Sequence, residues 1–436
     1  LRNKRKIPVT KFKTFSLKQK VLLEWWLPES KYSDKDGIIA DGAIRSGKTS
    51  ILSLSFVMWA MESFNNENFA MCGKTIGSLR RNVIKPLKKM LLGRGYTVEE
   101  HRSENYMTII RGNVANDFYF FGGKDEASQD LIQGFTLAGV FLDEVTLMPE
   151  SFVDQATARC SVDGSKMWFT CNPSSPSHWF KVKWIDNRTA RNLIRVHFTM
   201  DDNPSLSERI KARYKASYVG VFFDRFILGL WVMAEGMIYP MYKDALVQEV
   251  PEGKPSDRRI SIDYGTMNAF AAILWEKYGK TWIATRNYYY SGRDKGVQKT
   301  DAEYLDDMKE WLKDLIEPWE QEEHIGKFCK VIIDPSAASF IALLNKDGTF
   351  AVIKANNDVL DGIRETATAM KQGLIKILAS CTDWVKEAEG YVWDEKGEDK
   401  PIKVNDHDMD ATRYFVRTMK LVQKSMTKQP INNMYL

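Results

Sequence analysis

Apolar and polar positions along this chain follow two alternating patterns. Short continuous apolar runs bounded by Gly, Asn, Asp or Pro read as buried strands, and between them lie longer stretches whose apolar residues recur at helical spacing. That alternation predicts an open α/β sheet. Gly37-Ile38-Ile39-Ala40-Asp41 is the first such strand, and the stretch from Lys48, carrying Ile51, Leu52, Leu54, Phe56, Val57 and Trp59, is a helix. A strand at Asn68 to Gly73, a basic helix from Ile76 to Leu92 and a hairpin-like pair, Met107 to Arg111 and Asp117 to Phe121, follow. The runs Leu137 to Leu142 and Lys166 to Cys171 are buried strands ending in polar residues, and Leu206 to Trp231 is again helical.

Pro251-Glu252-Gly253-Lys254-Pro255-Ser256-Asp257 interrupts this pattern. A second series begins after it, with strands at Arg259 to Asp263, Ala269 to Trp275, Thr281 to Tyr289 and Lys330 to Asp334. An amphipathic helix from Thr300 to Ile316 and helical segments near Val359 to Lys371 and Met409 to Leu421 complete it. Two domains, 1–235 and 259–436, joined by a linker over 236–258, are therefore expected. A length of 436 residues agrees, since a domain commonly takes ~100–200 residues.

Composition excludes some classes. No apolar run reaches the ~18 residues that suggest a bilayer span, and Leu1-Arg2-Asn3-Lys4-Arg5-Lys6 leads into polar sequence, so a soluble protein with no membrane partner is expected. The five cysteines are scattered, without Cys-x-x-Cys or zinc spacing, as expected of reduced thiols. The net charge of +5 is mild, with basic clusters at the N-terminal arm and from Arg80-Arg81 to Lys88-Lys89; it permits a nucleic-acid partner without requiring one.

The chemistry concentrates in two places. Directly after the first strand, Gly42-Ala43-Ile44-Arg45-Ser46-Gly47-Lys48-Thr49 matches the phosphate-binding loop G-x-x-x-x-G-K-[ST]. Gly42 and Gly47 let loop N–H groups, those of Arg45 and Ser46 among them, curl around phosphate oxygens, while Lys48 neutralises the β- and γ-phosphates and the Thr49 hydroxyl suits Mg²⁺. The following helix directs its positive end at the anion. Asp143-Glu144, closing the run Val140-Phe141-Leu142, has the form of a second motif: Asp143 to hold Mg²⁺ through water and Glu144 to polarise the attacking water. A solvated strand end is the alternative, and a phosphate loop upstream argues against it. Thr170-Cys171-Asn172-Pro173 ends the next strand, so its polar groups, Asn172 among them, could sit beside the γ-phosphate and sense its loss, a plain strand-to-turn signal being the alternative. Arg45 and Arg159 both qualify as the arginine that phosphoryl transfer calls for, and spacing does not choose between them. Gln19 could contact adenine through its amide, an exposed glutamine being the ordinary alternative.

The second half carries carboxylates at strand ends: Asp263 after Arg259-Ile260-Ser261-Ile262, and Asp334 after Val331-Ile332-Ile333. Asp406-His407-Asp408-Met409-Asp410-Ala411 opens a late helix. Hard oxygen ligands from two strands and a helix suit two Mg²⁺ or Mn²⁺ ions in phosphodiester cleavage, although strand-end and cap aspartates are also common for structural reasons. His407, three residues before Asp410, shares its side if the helix already extends there and could orient water or protonate a leaving group, a structural histidine being the ordinary alternative.

Taken with Thr412-Arg413-Tyr414 and the junction Gly229-Leu230-Trp231-Val232-Met233-Ala234-Glu235-Gly236, these motifs resemble, in order and spacing along nearly the whole chain, the large terminase subunit of tailed bacteriophages. The resemblance implies an N-terminal P-loop ATPase of the additional-strand, catalytic-glutamate type and a C-terminal RNase H-like nuclease. It implies an ATP-driven motor that moves double-stranded DNA into a procapsid through the portal protein, and a Mg²⁺- or Mn²⁺-dependent endonuclease that cuts concatemers. A small terminase subunit, a ring of identical subunits on the procapsid formed from chains monomeric in solution, and a location in the bacterial host cytoplasm and transiently at the portal are implied too. By the family pattern Lys48, Thr49, Asp143 and Glu144 serve ATP hydrolysis, Thr170 to Asn172 couple it to movement, and Gln19 contacts adenine. Asp263, Asp334 and Asp410 form the metal triad with His407 accessory, and Asp406 or Asp408 could share the third metal position. Where many relatives carry an arginine before the second motif, this chain has Gln133-Gly134. A helicase-type motor without a nuclease and a nucleotide-gated assembly scaffold are the competing functions.

Overall fold

The computed structural model describes residues 14–265, 268–321, 327–394 and 399–422. They divide into two compact units, one made of residues up to 216 with 221–233, the other of 217–220 and the chain from 234 onward.

The first unit is built on an eight-stranded sheet. Its strands are β1 (Gly37–Gly42), β2 (Asn68–Gly73), β3 (Thr97–His101), β4 (Tyr106–Arg111), β5 (Val114–Gly122), β6 (Gly139–Leu142), β7 (Lys166–Cys171) and β8 (Leu193–Phe198). The spatial order is β3-β4-β5-β2-β6-β7-β1-β8. From β5 to β8 all neighbours run parallel, while β3 and β4 add an antiparallel edge. β1, β2 and β6 are buried nearly throughout, as their unbroken apolar runs require of strands covered on both faces. Helix α1 (Leu17–Glu24) and helix α2 (Lys48–Ser63) lie on one face. There Phe56 and Trp59 of α2 meet Phe69, Phe118 and Trp168 of the strands in an aromatic cluster. Because β6, β7 and β1 are adjacent and parallel, their carboxyl ends deliver Asp143, Asn172 and the Gly42 loop to one sheet edge, where open α/β sheets bind ligands.

Two stretches expected as single helices are broken. The basic helix runs Ile76–Leu79, widens through a π-turn at Arg80–Ile84 and resumes at Lys85–Leu91. Pro86 explains the break: it has no N–H to donate, and the Lys85 N–H reaches five residues back to the Arg80 carbonyl. The stretch 206–231 becomes Glu208–Ser217, Gly220–Phe223 and a π-turn Asp224–Leu228 stopped by Gly229.

The second unit holds a seven-stranded sheet of β9 (Leu246–Val247), β10 (Arg258–Asp263), β11 (Ala269–Tyr278), β12 (Thr281–Ser291), β13 (Cys329–Ile333), β14 (Phe350–Lys354) and β15 (Ile375–Leu378), in the order β14-β13-β10-β11-β12-β15-β9. β10, β11 and β12 form an antiparallel meander, and the outer strands pair parallel on either side. Side chains alternate across this sheet. Ile260, Ile262, Phe270 and Leu274 pack with Tyr304, Met308 and Phe340 on one face. Ser261, Asp263 and Trp275 face the other, where Phe415 of the helix His407–Met419 stacks on Trp275 at 4.3 Å. The 236–258 stretch, expected as a linker, carries β9 and the buried Tyr239, Tyr242 and Ala245, and its Pro251–Ser256 segment lies outside regular elements. The expected helix Thr300 to Ile316 is interrupted at the buried Leu312, giving Asp301–Trp311 and Lys313–Gln321. Among the described residues no helix is long and apolar enough to cross a membrane, and no cysteine is paired.

Candidate active sites

The phosphate loop is set by its first glycine. Gly42 has φ +127°, and a Cβ there would sit 2.0 Å from the Phe198 carbonyl oxygen, so no other residue lets β1 turn while staying paired to β8. Lys48, the first residue of α2, is buried and folds its ammonium onto the carbonyls of Gly42 (3.3 Å) and Ala43 (3.0 Å) and onto Asn172 Oδ1 (2.7 Å). Burial lowers its pKa, opposed by the field of Cys171, Glu144 and Asp143. Ser46 Oγ is buried with no hydrogen-bond partner among the described residues. Such an orphaned donor inside a loop of N–H groups is what a phosphate oxygen would satisfy.

The second motif joins this loop through hydroxyls. Asp143 Oδ1 accepts from Thr49 Oγ1 (3.1 Å) and from Thr170 Oγ1 (2.8 Å), and the Glu144 N–H donates to the same Thr170 hydroxyl (3.1 Å). Burial raises the Asp143 pKa against those two hydroxyl bonds. Glu144 is held at φ 53°, ψ 50°, a left-handed conformation that costs a residue with a Cβ about 1 kcal/mol or more and persists where surrounding contacts enforce it. Hard oxygens from Thr49 and Asp143, beside an ammonium and a phosphate loop, suit Mg²⁺. Gln19 is buried, and a Cβ on Gly47 would lie 2.8 Å from its Nε2. Its Oε1 accepts from the Ser16 N–H in a capping box. Arg45 is exposed, over the Tyr214 ring at 5.4 Å. Arg159 bonds Leu137 at the amino end of β6, the far edge of the sheet from Asp143, so within its own chain it does not reach the loop.

Three aspartates of the second unit, Asp263, Asp334 and Asp410, lie near enough to Tyr414 for their charges to act on its hydroxyl. Asp263, at the end of β10, accepts from His407 Nδ1 at 2.8 Å. Asp410 stands one helical turn beyond His407, with Oδ2 on Lys403 (2.9 Å) and Oδ1 on Arg413 (2.8 Å). Asp334 accepts from the Ser336 N–H (2.8 Å) and Asn357 Nδ2 (2.9 Å). Burial pushes the Tyr414 hydroxyl far up, and the charges of Asp263, Asp410 and Asp334 all add to that. Burial also raises Asp263, which His407 opposes and Asp410 and Asp406 reinforce. For Asp334, bonds from Ser336, Asn357 and Tyr414 overcome burial and hold it below the usual carboxylate range. Burial pulls His407 down, but the contact with Asp263 outweighs it and leaves the imidazole above its ordinary value. Among the described residues no three His, Cys, Asp or Glu side chains form a ready-made metal cage. Carboxylate oxygens are nonetheless the hard donors that a divalent cation takes, and among the described residues only Asp406 and Asp410 of these aspartates are met by a lysine or arginine, Lys403 on both and Arg413 on Asp410.

Asp408 is not brought to that face. Its carboxylate is fully buried, with Oδ1 on Asn287 Nδ2 (2.8 Å), and its N–H donates to Glu387 Oε2 (2.6 Å). Burial pushes Asp408 well above the carboxylate range, with the Glu387 charge adding to it, and burial pushes Glu387 up to about 7 against the N–H bonds it accepts from Asp408 and Met409. Asp406, by contrast, shares Lys403 with Asp410 at 2.8 Å.

Sequence reasoning missed Lys403, Glu387 and, above all, Asp41. Asp41 is completely buried one residue before Gly42, and four donors meet it: Arg195 Nε (2.8 Å) and Nη2 (2.7 Å), His197 (3.2 Å) and Trp231 Nε1 (2.9 Å). Burial works against its charge, yet His197, Arg195 and Trp231 hold its carboxyl well below the usual range. At the end of an apolar strand Asp41 gives no sequence signal of its own; only its burial shows that the charge must have partners.

Two family profiles match. One, described as terminase large subunit, T4likevirus-type, N-terminal, covers residues 39–243, and the other, a terminase RNaseH-like domain, covers 288–418. The large terminase of a thermophilic bacteriophage is 55% identical over 94% of this chain and all of its own, with a TM-score of 0.87. The complex of that thermophilic phage terminase with ATP-gamma-S aligns over 92% of this chain and 98% of that chain at 54% identity and TM-score 0.82. The large terminase subunit of Escherichia phage T5 is 24% identical over 73% of each chain. The expected pairing of an ATPase-type α/β domain with an RNase H-like domain is thereby borne out.

Proposed function

Because this chain belongs to the large terminases of tailed bacteriophages, we propose that it hydrolyses ATP at the phosphate loop to drive double-stranded DNA into a procapsid, and cuts concatemeric DNA at the aspartate site. The observation that carries the ATPase half is the continuous chain Thr49–Asp143–Thr170–Glu144 beside the Lys48 loop, at the carboxyl edge of a parallel sheet. ATP-gamma-S in the thermophilic phage relative supports the same ligand class here.

Lys48 leaves the loop carbonyls for the phosphates, Ser46 and the loop N–H groups hold phosphate oxygens, and Asn172, which holds Lys48 beforehand, registers the exchange. Glu144, fixed by its strained backbone, accepts the proton of the attacking water. Gln19 borders the loop from α1 and serves the base once its capping bond opens. Mg²⁺, held by Thr49 and through Asp143, would neutralise charge on the phosphates.

In the second unit Asp263, Asp334 and Asp410 would hold Mg²⁺ or Mn²⁺, whose charge would lower the pKa of water and offset charge on the leaving oxygen. Of the two cations on Asp410, Lys403 is half-exposed and able to yield, while Arg413 is buried and bonded to the Asn357 carbonyl. His407 is the proton-carrying group next to Asp263. The first compact unit carries the one chemistry and the second, from residue 234 onward, the other. DNA contact is mainly to phosphates, because a motor accepts any sequence. The partners are the portal protein, a small terminase subunit and identical subunits in a ring, met in the host cytoplasm at the procapsid.

Glu144→Gln tests the reading. It keeps the side-chain shape and removes the base, so ATP binding should persist while turnover falls by ~10²-fold or more. Wild-type turnover in this variant would refute the assignment and favour a nucleotide-gated scaffold.

A further inference from the structure

Behind the phosphate loop lies a cluster that the hydrolysis scheme does not use. In β8, Arg195 and His197 are two residues apart and so share a face, and His197 is the register partner of Asp41 in β1. Both reach the Asp41 carboxylate, which a fourth donor, the Trp231 indole, closes from outside the sheet. Trp231 belongs to a stretch that touches the loop at successive points. The Ile44 N–H donates to the Phe226 carbonyl at 2.9 Å. Gly229 (φ +77°) comes so close that a Cβ would lie 2.9 Å from the Ala43 nitrogen. Residues 41, 43 and 44 are thus fixed in turn by one segment, 226–231, and the loop residues that follow receive the phosphates.

We infer that Asp41 is a positioning residue for nucleotide binding: it gathers Arg195, His197 and Trp231 so that segment 226–231 braces the phosphate loop in its anion-ready shape. This rests on the nucleotide reading of the loop. A fully buried carboxylate with four donors resists movement, because losing any donor leaves charge uncompensated in an apolar surround. β1 and β8 supply two sides of the brace and the indole the third. The indole is the replaceable member: Trp231 is half-buried, as Arg195 and His197 are, and a phenyl ring can take its place, whereas Asp41 is completely buried.

The test uses the full chain and ADP as probe. Trp231→Phe removes the indole N–H and keeps an aromatic ring. Its ADP Kd should be about fivefold weaker, part of what one hydrogen bond to a charged group contributes. The KM for ATP should rise alongside, with kcat within twofold of wild type. ADP should also change the emission of wild type but not of the variant, the difference spectrum isolating one of the 13 tryptophans. Asp41→Asn, which leaves Arg195 without its partner charge, should weaken ADP binding further. Should Trp231→Phe fold and bind ADP within twofold of wild type with an unchanged KM, the brace is structural only and the inference fails. Absence of ADP binding by the wild type would overturn the nucleotide reading and this inference with it.

Discussion

Replacing Thr170 by Val removes one hydroxyl and with it the joint between the two halves of the proposed ATPase motif. The hydroxyl donates to Asp143 at 2.8 Å and accepts from the Glu144 N–H at 3.1 Å, and the residue is completely buried, so water cannot substitute. Loss of a hydrogen bond to a charged group costs about 1.5–3 kcal/mol, and an orphaned N–H about 1–3 kcal/mol. Partial relaxation of Glu144 out of its left-handed backbone would return ~1 kcal/mol, leaving a net loss of stability of ~1.5–5 kcal/mol. The same relaxation moves the Glu144 carboxylate off its position. With each ~1.4 kcal/mol of transition-state contact worth tenfold, kcat should fall by at least ~10-fold, while KM stays within about threefold because Lys48 and the loop are untouched. Urea denaturation and steady-state ATPase kinetics measure the two effects separately. A Thr170→Val enzyme with wild-type kcat, or one whose whole defect lies in KM, would refute the idea that Thr170 sets the geometry of Glu144.

Gly42→Ala places a methyl group 2.0 Å from the Phe198 carbonyl at φ +127°. It should cost about 4 kcal/mol or more and abolish nucleotide binding, and a variant within 1 kcal/mol of wild type in a denaturation series would contradict the loop geometry. Glu387, pushed up to about 7, stays protonated in the fold while its unfolded counterpart ionises near ~4.3. The folded state therefore holds the extra proton, and its stability falls as pH rises from ~4.3 to about 7 and levels off above that. Glu387→Gln, which still accepts from the Asp408 N–H, should remove this loss and gain on the order of 3–4 kcal/mol relative to wild type at pH 8 compared with pH 4. A stability difference between the two proteins that does not vary with pH would show that the Glu387–Asp408 pair is not protonated.

The phosphate loop was legible because its function is local: glycines, Lys48 and Thr49 are contiguous, and β1 and α2 flank them. Asp143 and Glu144 were legible as the polar end of a buried run. Residues whose meaning depends on distant partners were not. Asp41 looks like an ordinary strand end until Arg195, His197 and Trp231 are folded onto it. Asp408 and Asp410 look equivalent in sequence, and helical rotation alone sends one into the core against Glu387 and the other toward Tyr414. β3, with its polar Thr97-Val98-Glu99-Glu100-His101, lacks a buried run because it lies at the sheet edge, and the mixed β8 escaped for the same reason. The two-residue β9 is too short for any pattern and is defined by pairing with β15. Helix interruptions at Arg80–Ile84 and Leu312 were hidden by periodicity that continues across them.

Two separate hydrolytic sites on one chain is the central claim, and cleavage of supercoiled plasmid by the purified chain with Mn²⁺ and no ATP tests it most directly. Wild type and Glu144→Gln should nick the plasmid alike, and Asp410→Ala, which keeps its ATPase, should not. Cleavage by Asp410→Ala at the wild-type rate, or none by a folded and ATPase-active wild type, would contradict it.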